Sequence, residues 1–150
     1  MTTYSTAENF VQPIVQYDAK TNLYRLVEDY HFEWGPKTFR KSLWMRAGFE
    51  WDFASVPRPL QNIARPDGPY IPGSMFHDRH YRDKGRFTKG EFEFKTFTNG
   101  AWVPDSSAWS RKEADELLEY VSICAGAPKW QAALYKWSVK LWPGNWFKGF

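Results

Sequence analysis

The sequence predicts an α+β domain, with a small amino-terminal antiparallel sheet packed on a carboxyl-terminal helical layer. Three observations carry that expectation. Residues 10 to 52 hold runs of β-branched and aromatic side chains separated by turn signals. Three later segments repeat apolar residues at helical spacing. A chain of 150 residues with one cysteine is long enough to bury a core without disulfide staples.

Taken in order, residues 1 to 9 read as a flexible polar tail and 10 to 150 as a single domain. "FVQPIVQYD" and "LYRLVEDYHFEW" form a strand pair about the turn "DAKTN". Pro13 keeps the first strand short or at an edge, because proline donates no ladder hydrogen bond. "GPK" at 35 to 37 turns the chain into a third strand run, "TFRKSLWMRAGFEW". Prolines and glycines then break the pattern, leaving room for a short helix near Leu60 to Ala64. A helix follows from about Pro72 to Lys84, with proline in its opening turn. "EFEFKTFTNGAWV" spells a β-hairpin about Asn99 and Gly100, an excursion between helices.

The second long helix has the stronger local signature. Ser110 is its N-cap, Glu113 completes a capping box and Gly126 stops it, with Ala114, Leu117, Leu118, Val121 and Ala125 on one face. The last helix, "APKWQAALYKWSVKLWPG", places Trp130, Ala133, Leu134, Trp137 and Leu141 on the expected core stripe, and Lys129, Lys136 and Lys140 opposite.

Composition narrows function mostly by exclusion. A single cysteine rules out a Cys-rich zinc site and any internal disulfide. No stretch approaches a membrane-spanning run and no export signal stands at the amino terminus, so synthesis in the cytoplasm is expected. A net charge of +3 is too small to call for nucleic acid, and no RNA-binding signature appears.

The segment "SMFHDRHYRDKG" carries the candidate chemistry. His77 and Tyr81 are four residues apart and share a helix face, whereas Asp78 projects about 100° away. Asp115 stands at the border of the apolar stripe of its helix, so it can reach inward. If the two helices pack antiparallel, Asp115 accepts from one nitrogen of His77 and leaves the other free to take a proton from water. The same pair serves equally as a buried strut, and the spacing does not separate the two. His80 is expected at the surface. In "DFASVP", Asp52 and Ser55 either cap the short helix after Pro57 or bring Asp52 toward His77.

"HDRHY" followed by "EADELLEY" resembles the paired helices of secreted phospholipase A-two enzymes. That resemblance implies His77 as the base, Tyr81 and Asp115 as its supports, and Asp78 as a ligand of calcium; apart from it, Asp52 is the second candidate metal carboxylate. No Gly-rich calcium loop of the family's type precedes the motif. A longer resemblance, carried by "GFEWDFASVPRPL", "HDRHY", "SRKEADELL" and the aromatic closing helix, is to a small family catalogued as domain of unknown function 1353. It implies an origin in tailed bacteriophages and prophages, and recurrent positions at Asp52, Ser55, Pro57, His77, Asp78, Tyr81 and Asp115.

The final 22 residues, "KWQAALYKWSVKLWPGNWFKGF", hold four lysines, seven aromatics and no acid. Trp142, Trp146, Phe147 and Phe150 lie at or past the helix end, and 143 to 150 reads as a docking segment for other phage proteins or a second copy. The expected function is a bacteriophage structural or accessory protein, associated with the virion at tail, neck or baseplate. The alternative is a hydrolase of an ester or amide in the host envelope.

Overall fold

The computed structural model describes residues 1–52, 68–86, 92–105 and 107–141. The amino-terminal half supplies β1 (Thr2–Thr6), β2 (Val15–Asp18), β3 (Leu23–Leu26), β4 (Asp29–Trp34), β5 (Lys41–Met45) and β6 (Glu50–Asp52). Then come helix α1 (Ile71–Arg82), strands β7 (Phe92–Thr98) and β8 (Ala101–Pro104), and helices α2 (Arg111–Cys124) and α3 (Lys129–Leu141). The class is α+β, as expected. The sheet differs in detail.

Two sheets form where one was expected. A five-stranded sheet runs β1-β4-β5-β7-β8 and a three-stranded antiparallel sheet runs β2-β3-β6. The hairpin β7–β8 is therefore no excursion: β7 pairs with β5 from Lys41 opposite Thr96 to Met45 opposite Phe92. Its turn residues match the sequence reading, Asn99 at φ 51° and Gly100 at φ 78°, both in the left-handed region that Asn-Gly tolerates. Residues 1 to 9 are not simply a tail, because Thr2–Thr6 pairs in parallel with β4, Tyr4 opposite His31. The polar residues of β1 suit a half-exposed edge strand, which has the same composition as a tail.

Period-two alternation places the core. Tyr30 and Phe32 of β4, Leu43 and Met45 of β5, and Phe92 and Phe94 of β7 are all buried in one cluster with Ile71, Met75 and Phe76 of α1 and Leu117 and Val121 of α2. Burying such side chains stabilises by roughly 1.5–3 kcal/mol each. Helices α1 and α2 approach closely at Gly73, where an added Cβ would meet the Leu118 carbonyl oxygen at 2.9 Å. The capping box of α2 is formed as read: Ser110 Oγ accepts from Glu113 N at 3.1 Å, and Glu113 Oε1 accepts from Ser110 N at 3.3 Å. Gly126 follows at φ 105°, a stop that a side chain would strain.

Candidate functional site

The close seam between α1 and α2 brings three of the sequence-predicted side chains together. His77 Nε2 lies 2.8 Å from Asp115 Oδ1, and Tyr81 Oη donates to the same oxygen at 2.5 Å. The two rings of α1 sit 4.0 Å apart between centroids, as a four-residue spacing on one helix requires. His77 and Asp115 are buried, at 7% and 3% exposure, so Asp115 reaches further inward than a border residue. A carboxylate acceptor at Nε2 selects the tautomer with the proton there and the lone pair on Nδ1. Burial holds His77 below its ordinary pKa, with Arg111 adding to this and Asp115 opposing it, so the ring is neutral at pH 7. Burial and the Asp115 carboxylate together push the Tyr81 phenol up, which keeps it a donor.

Arg111 extends the cluster, and the sequence reading missed it. Its Nε donates to Tyr81 Oη at 3.2 Å while Nη2 donates to the Lys140 carbonyl at 3.0 Å, tying α1 and α2 to the end of α3. A signal was present: Arg111 precedes Asp115 by four residues and so shares its helix face.

Asp78 points elsewhere, as predicted. Its Oδ2 lies 2.8 Å from Arg82 Nη2, near enough for an ion pair, yet that buried oxygen has no aligned hydrogen bond among the described residues. Burial raises Asp78 to about 6, opposed by Arg82 and reinforced by the like charge of Asp52, which places the two carboxylates within electrostatic reach. Two carboxylates supply at most four of the roughly six to eight oxygens that calcium takes. Among the described residues no three His, Cys, Asp or Glu side chains converge on a point. Ser55 and Pro57 lie outside the described residues, as do the short helix near Leu60 and the aromatics Trp142, Trp146, Phe147 and Phe150.

Two expectations are corrected. His80 is buried rather than at the surface: its Nδ1 contacts the Phe76 carbonyl at 2.7 Å and its ring packs against Phe92 and Trp109. Helix α3 is turned relative to its predicted face. Among its described side chains Ala132, Tyr135 and Val139 are buried, and Tyr135 stacks on Tyr70 at 5.2 Å with planes 6° apart. Three residues of the stripe expected in the core are outside instead, with Trp130 69%, Leu134 48% and Trp137 57% exposed; Ala133 is half-buried, and the Leu141 side chain lies outside the described residues. Lys140 lies over the Trp137 ring at 5.9 Å, and Lys136 pairs with Glu119 of α2 at 3.1 Å. Ala132 is fully buried in the same cluster as Leu118 of α2.

With this geometry in view, the family model described as protein of unknown function (DUF1353) matches residues 24–139. The chain belongs to that family. DUF1353 covers β3 through almost all of α3, and hence His77, Tyr81, Arg111, Asp115 and the exposed α3 stripe. No curated protein and no solved structure matches the chain significantly.

Proposed function

We propose that this protein is a structural or accessory component of a bacteriophage particle, docking onto an acidic protein surface through α3. The observation that carries the reading is the exposure of Trp130, Leu134 and Trp137, at positions i, i+4 and i+7 of one helix. A helix-in-groove contact uses this spacing for its anchors, and indoles are the side chains most often found at interface hot spots. From residue 127 to the end there is no acid, so the lysines around the stripe favour an acidic partner. A symmetric pairing of α3 with a second copy would set lysine against lysine. The phage setting rests on the family resemblance in the sequence.

The test is a triple Trp130→Ser, Leu134→Ser, Trp137→Ser variant expressed during infection in place of the native chain. Purified particles should contain the native protein and lack the variant, with circular dichroism showing that both are folded. Equal incorporation of the two would end the docking proposal.

A second reading has its own observation, the oriented and neutral His77. With Nε2 held by Asp115, Nδ1 is the basic nitrogen, suited to deprotonate a water that attacks an ester or amide. Its test is turnover of phospholipid or peptidoglycan substrates, with and without calcium, by the native protein and by His77→Ala. Turnover that the variant keeps would exclude His77 as the base.

A further inference from the structure

On the opposite side of α2 from the His77 seam, an open cleft of about 250 Å³ lies against the sheet. It is lined by Trp34, Trp109, Leu117 and Tyr120 as apolar walls and by Glu113, Glu116 and Lys41 as polar ones. Glu113, Glu116, Leu117 and Tyr120 recur at helical spacing, so α2 turns one mixed face of carboxylates and an aromatic ring toward the half-buried indole of Trp34. Trp34 in turn is held by Trp109 at 6.3 Å and stacked on Phe32 at 5.6 Å, which fixes the indole as a floor.

We propose that this cleft binds an organic ammonium group. An indole presents a negative face that attracts a cation, and carboxylates at the rim supply the charged hydrogen bonds an ammonium needs. Among the described residues, the polar contacts of the Glu113 and Glu116 side-chain oxygens include Glu113 Oε1 with Ser110 N at 3.3 Å and Glu116 Oε1 with the exposed Lys112 at 3.8 Å. These leave the second oxygen of each carboxylate to a ligand. Among the described residues Lys41 is the one cation in the lining, and it lies within electrostatic reach of Asp105. The cleft is therefore acidic at its mouth and aromatic at its base. Its volume falls below the roughly 300 Å³ at which small-molecule pockets begin, so it takes the end of a molecule, an alkylammonium head or a lysine side chain.

Isothermal titration of the full chain with butylammonium, 1-butanol and butanoate tests this without any variant. The cation should bind saturably and at least tenfold more tightly than the alcohol, and butanoate should not bind. Glu116→Gln, at an exposed position where the fold is insensitive, should weaken butylammonium at least tenfold. Repeating the titration with a capped lysine peptide distinguishes a free amine from a protein side chain; tight binding of either supports the site. Alcohol bound as tightly as the cation, an unchanged Glu116→Gln variant, or no saturable heat with either amine would overturn it.

Discussion

His77 and Tyr81 share a single acceptor oxygen on Asp115, at 2.8 and 2.5 Å, across the seam between α1 and α2. Replacing Asp115 by Ala strands both donors in a buried place, and each orphaned group costs about 1–3 kcal/mol. Asp115→Ala should therefore lower the stability measured by urea unfolding by roughly 2–5 kcal/mol. A loss under 1 kcal/mol would mean that the pair holds nothing together.

Gly73→Ala tests the closeness of the same seam. Alanine gains up to about 1 kcal/mol of helix propensity over glycine. Here its Cβ would stand 2.9 Å from both the Leu118 carbonyl oxygen and Ser122 Oγ, and the first of these is backbone. Forcing the helices apart should outweigh the propensity, with a net destabilisation of about 1–3 kcal/mol. A variant as stable as the native chain in thermal melts would show that the seam gives way easily.

The two faces of α3 should respond oppositely to substitution. Tyr135→Ala removes a ring buried against Tyr70 and should cost about 3–5 kcal/mol. Trp130→Ser and Trp137→Ser remove rings that are more than half exposed and should leave the melting temperature almost unchanged. The reversed pattern in scanning calorimetry would put the predicted face back in the core.

Acid should destabilise the protein partly through His80. Burial holds this histidine neutral until about pH 3, against an ordinary value of 6.5. The unfolded chain binds the extra proton between those values, so this contribution is complete above pH 6.5 and is lost as pH falls toward 3. Asp78 acts in the opposite direction. Its pKa, raised to about 6 from 3.8, makes the folded state the better proton binder in between, so its contribution favours folding as pH falls from 6 to 4. Asp78→Asn should therefore steepen the acid loss of stability over pH 4 to 6. A denaturation series across pH that stays parallel to the native one would refute this.

What was legible in the sequence was mostly what a few neighbouring residues decide. Ser110 and Glu113 answer each other within one turn, Asn99 and Gly100 make their own hairpin, and the helical phase of His77 and Tyr81 follows from counting. Asp115 needed only the added idea that its helix packs on theirs. The misses depend on distant partners. Helix α3 carries apolar residues on two faces, and the choice between them falls to Tyr70, which lies 65 residues before Tyr135 in the chain. His80 looks solvent-bound until Phe92 and Trp109 close over it. Thr2–Thr6 has no strand signature of its own and is ordered by β4.

That last pairing has a kinetic consequence. Thr2 lies opposite Asp29, so 26 residues must fold back before the first rung of the β1–β4 ladder can close. Closing a loop of that length costs about 3 kcal/mol of chain entropy, to be recovered from a short edge strand. The β4–β5 hairpin closes over far fewer residues and forms without it. The amino-terminal strand is thus the last rung added during folding and the first released by thermal fluctuation. In native-state hydrogen exchange its amides should open at low free energy, well before those of β4 and β5 at the centre of the same sheet.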